Sequence, residues 1–572
     1  MRSISSIQVS RRVLAIGAAV MLVGSACSSG APTTAPTSGP VASTGAESPG
    51  ATTQASAAIP TGGTLSFGFN GEIQHLDPSL GYDVTSWPAE RLIYEALLDY
   101  DSSSNLVPLL ADGMPTVSAD GKTVTFKIHS GVNFVKADGS VLREMTADDV
   151  AYSINRDLDP NLKPNPSPVG SAFFGNIVGA ADVLAGKAKT ATGIKVIDPT
   201  TIEFDLVNAD ATFLNVMATP FAMVVPKELA TEDTAAFEAA PVGTGQFLMT
   251  KYTKGQGATF VRNPHYWRAG LPYLDGVDFR TGQDDNAMLQ QIEAGTLDIM
   301  GDPMPAAQFT DVTTNPAYKS QLYHTPLADT DYVFMDTQDP AGHFSKLEVR
   351  QAVNYAIDKA AILQITHGAG QQANCILPPT MPGYDANCNP YPHDVDKAKQ
   401  LMATAGLSGG FSTKFYTDTT DPDPQIGQSI QQDLAAIGIK ADIVSQEFAT
   451  FLNTIETPHA APVGFVGWFQ DYPDPSDFID PILSCASAVK GGANAALYCN
   501  KDVDALAAKA KGETDSAQRL KDYQTIQTMI MADAPWAPFR HQEWYTLISP
   551  RVGGFSLHPV WTYNVADLWI NP

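Results

Sequence analysis

Two periodicities run along this chain. From Thr64 to Phe69, and again from Lys122 to Ile128 after an Asp120-Gly121 turn, apolar and polar residues alternate, which predicts half-buried strands. Elsewhere the period is helical. Thr146 stands three residues before Asp149, and Val150, Ile154 and Leu158 follow on one face, so a capped helix is expected to begin near Thr146. Val349, Ala352, Val353, Ala356, Ile357 and Ala360 form a single stripe, predicting a helix that runs through Ala360. A further helix is expected from Val395 to Ala405, between Asp394 as start and Gly406 as stop. Near Lys414 to Thr417 a strand is expected, then a helix carrying Ile426, Ile430, Leu434 and Ile437, then Gly438 and a strand from Ile439 to Val444. Strand, helix and strand in that order predict a right-handed crossover and an α/β lobe.

The amino terminus follows neither period. Arg2, Arg11 and Arg12 precede an uncharged apolar run from Val13 to Val23, then Gly24-Ser25-Ala26-Cys27. A charged start, a short apolar core and small residues describe an export signal, and the run is too short to span a bilayer. Cys27 in this setting resembles the lipobox of bacterial lipoproteins, whose cysteine is diacylated after cleavage just before it. That implies a signal peptide over residues 1–26 and lipidation at Cys27, although Gly24 departs from the leucine or alanine commoner there. Ordinary cleavage beside an incidental cysteine is the rival. Ser10-Arg11-Arg12-Val13-Leu14 also resembles a twin-arginine signal, which leaves the export route open. From Ser28 to Pro60 the chain is mostly Ser, Thr, Ala, Gly and Pro, so residues 27–60 are expected to be a lipid-bearing flexible stalk.

The remaining chain exceeds the roughly 250–300 residues at which one core stops growing, so at least two lobes are expected. A formal net charge of −26 argues against nucleic acid as a partner. Charged residues make up 17 % of the chain, below the roughly 25 % of average domains, yet no second apolar stretch approaches membrane-span length. With Cys27 assigned to lipid, Cys375, Cys388, Cys485 and Cys499 remain, and four cysteines allow three pairings. The local one, Cys375 with Cys388 and Cys485 with Cys499, is the simplest. A zinc site lacks the CxxC or paired-histidine spacing it would need. HExxH, GxSxG and GxxxxGK are absent as well.

Several segments, in order, carry a resemblance. They are Leu76-Asp77-Pro78, Tyr94-Glu95-Ala96-Leu97, Asp120 to Phe126, Gly131 to Phe134 and Thr146 to Val150. Pro241 to Gly245, Arg262 to Trp267, Val349 to Asp358 and Gly467 to Pro475 follow. Together they resemble the extracellular solute-binding proteins of family 5, receptors of dipeptide, oligopeptide and nickel ABC importers. The resemblance implies an α/β, two-lobe periplasmic binding protein-like fold of type II, with an extra subdomain inserted in the first lobe. Lobe I is then expected over 61–327 plus 541–572 and lobe II over 328–540, with the ligand enclosed by hinge closure.

In peptide-binding members an aspartate of the Gly467–Pro475 segment pairs with the ligand's α-ammonium, which by motif position implies Asp471, with Trp468 walling the pocket. Physics supports such a partner, because a cation taken out of water needs one. Tyr82, Asp83 and Trp87 lie where relatives present groups to the ligand, although lobe packing explains aromatic residues there equally well. Asp336 stands where relatives commonly have asparagine, implying a more acidic inner surface. Asp471, Asp474, Asp477 and Asp480 recur every third residue; a calcium loop would want a different spacing and a glycine, so turn and cap duty is expected of the last three.

The reading is a monomeric, lipid-tethered receptor that hands a peptide to a membrane permease complex and needs no cofactor. Oligosaccharides, nickel chelates and organic cations remain alternative solutes. A secreted hydrolase using paired aspartates is the rival from another class, and a sensor that signals without import is a third.

Overall fold

The alternating run at Thr64 is the strand Thr64–Gly68, with Leu65 and Phe67 fully buried. It pairs in parallel with Gly276–Arg280 on one side and Ile299–Met300 on the other. Gly257–Arg262 and Phe247–Thr253 extend this sheet antiparallel to five strands. The computed structural model describes residues 59–572 apart from 514 and 566, so the expected export signal, the expected lipidation at Cys27 and nearly all of the expected stalk lie outside the described residues.

Between the first strand of this sheet and the rest, the chain makes a separate four-stranded sheet, in which Thr123–Lys127 pairs with Thr201–Asp205. The helix Ala147–Asp157 packs beside it. Its start is the capping box read from sequence: the Asp149 carboxylate accepts from the Thr146 backbone N–H at 3.0 Å, and Val150, Ile154 and Leu158 are buried.

A six-stranded sheet builds the second lobe, in the order Gln371–Gln372, Trp536–His541, Asp329–Met335, Val463–Phe469, Phe411–Asp418 and Ile439–Gln446. The last two strands are parallel and joined by the helix Asp423–Ala436, which buries Ile426, Ile430 and Leu434. This is the expected strand–helix–strand unit. Gly438 ends the helix at φ +88°, a backbone position that a side chain would strain.

One expectation fails. The stripe from Val349 to Ala360 is not one helix but two, Leu347–Ala356 and Lys359–Ile365. Ile357 is extended, and the Asp358 side chain accepts from the backbone N–H groups of Ala360 and Ala361, starting a new helix. A strong cap overrode an uninterrupted apolar period.

The chain crosses between the sheets on two strands, Leu322–Pro326 and Glu543–Leu547, which pair antiparallel with each other. Away from this ribbon the lobes also touch. The Ala211 N–H donates to the Lys511 carbonyl at 2.8 Å, and Lys511 Nζ lies 2.8 Å from Asp480 and 3.8 Å from Asp210.

Both disulfides have the local pairing, Cys375–Cys388 and Cys485–Cys499. Loops of this length restrict the unfolded chain by about 3 kcal/mol each in the chain-entropy model. Replacing Cys485 and Cys499 together by serine is expected to lower stability by about that amount, measurable as a reduced urea midpoint. An unchanged midpoint would show that the bridge constrains nothing the fold does not already hold.

Candidate functional site

In α/β sheets, ligands bind beyond the carboxyl ends of parallel strands. Lobe II puts Asp471 there, two residues after Val463–Phe469, together with Asp418 at the end of Phe411–Asp418. Lobe I likewise ends its parallel strands on Asn70, Asp285 and Asp302, and the Asp302 carboxylate accepts from the Asn70 N–H at 2.6 Å. Burial pushes Asp302 up to about 7. Asp285 is raised by burial first, and then by the charges of Asp284 and of Asp421 on the other lobe. Two carboxylate-bearing edges therefore face one another.

Tyr82 and Asp471 meet across this gap. The phenol of Tyr82, on the loop after Leu76-Asp77-Pro78, donates to Asp471 Oδ2 at 2.7 Å. Asp471 is 5 % exposed. Its own backbone N–H donates to Asp477 Oδ2 at 2.9 Å, and the Trp468 indole N–H donates to the same oxygen at 3.3 Å. Burial pushes Asp471 up to about 7, against hydrogen bonds from Tyr82 and Asp477 that pull it down. Asp477 is raised well above the carboxylate range, first by burial and then by the charge of Asp471.

Tyr82 also packs against Trp87, Phe173 and Phe221, with ring centroids 5.9–6.3 Å apart, and Phe173 reaches Tyr472 of lobe II at 6.4 Å. Trp87 donates its indole N–H to the Gly81 carbonyl, so it braces the loop. Asp83 accepts from the backbone N–H groups of Thr85 and Ser86, just where the helix Ser86–Ile93 begins. The structure thus gathers Tyr82, Trp468 and Asp471, with Trp87 behind Tyr82 and Asp83 turned to the backbone.

Asp336 is not brought to this place. The strand Asp329–Met335 aligns Asp329 with Phe469 and Met335 with Val463, so Asp336 follows the opposite end, roughly 20 Å along the strand. There it pairs with His459 Nδ1 at 2.8 Å and accepts from the Gln338 N–H. The antiparallel register, which no single segment reveals, decides this placement.

The every-third aspartates also divide. Asp474 caps the short helix Pro475–Phe478 and is held by Arg519, and Asp480 opens the helix Asp480–Leu483 and faces Lys511. Asp477 does neither. It is fully buried under Asp471, and its Oδ1 has no hydrogen-bond partner. The spacing drew attention to Asp477, but only the fold shows its side chain turned inward.

Glu95 ties three of the recurring segments together, accepting from Thr244 Oγ1, the Tyr266 phenol and the Trp267 indole. It lines a 430 Å³ cavity within lobe I that includes none of Tyr82, Trp468 or Asp471. Among the described residues no group of three His, Cys, Asp or Glu side chains is placed to hold a metal, and no helix is long and apolar enough to cross a membrane.

Two α/β lobes joined by a paired ribbon, with a buried acidic site between their strand ends, define a solute-binding fold. Residues 105–490 match the family described as bacterial extracellular solute-binding proteins, family 5, and the chain belongs to that family. It is 31 % identical to heme-binding protein A of Haemophilus influenzae over 84 % of this chain and 88 % of that one. To di/tripeptide-binding protein 4 of Pseudomonas aeruginosa it is also 31 % identical, over 86 % and 91 %. Among solved structures, the periplasmic binding protein DppA of Helicobacter pylori in complex with the peptide STSA is similar. Its TM-score is 0.80 at 26 % identity, covering 90 % of this chain and 99 % of that one.

Proposed function

We propose that this protein captures short peptides outside the membrane and delivers them to an ABC permease, with the peptide's α-ammonium group docking at Asp471. One observation carries the reading: Asp471 is buried at the meeting edge of the lobes, and among the described residues no cationic side chain pairs with it. A buried carboxylate of this kind suits a cation brought by the ligand. The peptide-binding relatives and the STSA complex support the same solute class. The proposal includes a lipid anchor at Cys27 and a lobe division at 61–327 with 541–572 against 328–540, which the strand membership of the two sheets supports.

Mass spectrometry of small molecules released from the full chain, purified without refolding, tests the solute. A ladder of peptide masses is expected. A single non-peptide mass, such as a porphyrin or a metal chelate, would replace the peptide reading, and progressive turnover of a bound molecule would point to the hydrolase instead.

Calorimetric titration tests the residue. Asp471→Ala is expected to weaken tri-alanine by about 2–5 kcal/mol, roughly 30-fold or more, because the ammonium is left without its partner. N-acetyl-tri-alanine, which lacks the charge, should bind the wild type poorly. Undiminished affinity of the variant would sink the assignment.

A further inference from the structure

Asp477 is a second carboxylate at the site, and ammonium docking at Asp471 alone leaves it without a role. It is fully buried. Its Oδ2 accepts from the Asp471 N–H at 2.9 Å and from the Trp468 indole N–H at 3.3 Å, and its Oδ1 has no partner among the described residues. Among the described residues, the surrounding elements supply no neutralising charge. Arg519 is committed to Asp474 through two bonds of 2.7 and 2.8 Å, and Lys511 is committed to Asp480 with Asp210 near by. The remaining titratable groups that face the pair are phenols: Tyr82 and Tyr100 from lobe I and Tyr472 from lobe II. Two carboxylates enclosed together without a cation do not both ionise.

We propose that Asp471 and Asp477 form a proton-sharing pair that exchanges its proton for the ammonium group of the ligand, so that solute capture is coupled to proton release. In this exchange the O–H bond of the pair breaks and the proton passes to solvent. The ammonium then donates N–H bonds to the two carboxylates in its place, and no electrons are transferred. Protons and ligand compete for one site. Affinity for a cationic ligand therefore rises as pH rises through the neutral range, up to tenfold per pH unit for one linked proton, where a lone ionised carboxylate would give a flat profile. The raised pKa values of both carboxyls agree in direction. The inference rests on the docking reading above.

Tri-alanine is titrated calorimetrically into the full chain at pH 6.5, in buffers of different ionisation heat. Its own amine is already protonated there. Expected is the release of close to one proton per ligand, clearly reduced in Asp477→Asn, whose amide oxygen can still accept from the Asp471 and Trp468 N–H groups. Binding without proton release, or release unchanged in the variant, overturns the exchange. If tri-alanine does not bind at all, the docking reading fails, and the infrared spectrum of the ligand-free protein at pH 7 still judges the pair. A protonated-carboxyl band that is weaker in Asp477→Asn than in the wild type supports a shared proton, and identical spectra overturn it.

Discussion

Arg156→Met is expected to lower the free energy of unfolding by about 3–5 kcal/mol, the loss seen when one member of a buried ion pair is removed. The guanidinium is 3 % exposed. It bonds Asp77 through both terminal nitrogens, with Nη1 at 2.6 Å from Oδ1, and it also reaches Ser79 Oγ and the Thr231 carbonyl. Asp77 has no exposure, so its carboxylate has no access to water once the arginine is gone. The Asp77 carbonyl also accepts from the N–H groups of Leu80 and Gly81, fixing the turn that leads to Tyr82. The same variant should therefore weaken ligand binding. Urea unfolding with Asp77→Asn added to Arg156→Met provides the check: removing the stranded charge should recover part of the loss, and no recovery would mean that packing, not charge, sets the effect.

Arg540→Met is expected to cost a similar amount, about 3–5 kcal/mol at pH 8 and clearly less at pH 5. Arg540 is buried, with its Nε at 2.6 Å from Asp331 Oδ2, and Asp329 and Asp423 lie close enough to feel its charge. Burial first, and then the neighbouring carboxylates Asp331 and Asp418, raise Asp329 and Asp423 well above their ordinary value, and Arg540 opposes this. A carboxyl with a raised folded-state pKa contributes stability that is fully present below its unfolded value near 4 and is lost as pH rises through its folded value. Without Arg540 those folded values move higher still. At pH 5 the cluster is relieved by protonation; at pH 8 folding must hold protons that the unfolded chain releases. Equal losses of melting temperature at the two pH values would refute this account.

What could be read in the sequence was local. Alternation located Thr64–Gly68 and Thr123–Lys127, the Thr146 and Asp149 pair located a helix start, and of the three cysteine pairings left open the structure has the local one, the simplest. Asp471, Trp468 and Tyr82 came from the family resemblance, and the fold brings them together. The remainder depends on partners far apart in the chain. Tyr82 and Asp471 are 389 residues apart, Asp331 and Arg540 209, and Asp77 and Arg156 79. No periodicity marks such pairs. Asp336 shows the converse, since a residue type suggestive of the site was carried to the wrong end of its strand by antiparallel pairing. Asp358 interrupted a helix because one side chain satisfied two backbone donors, a local effect that an apolar stripe conceals.

The two chain crossings between the lobes pair along five consecutive residues, from Leu322 with Leu547 to Pro326 with Glu543. Two separate tethers would let the lobes shear, swivel and drift past one another. A laced ribbon behaves more like a leaf spring, because sliding one strand along the other breaks its hydrogen bonds together, while bending and twisting keep them. Its soft directions are few, so each swing returns the lobes along nearly the same arc. The Tyr82 phenol and the Asp471 carboxylate, one from each lobe, are thereby kept on course to meet when the lobes close.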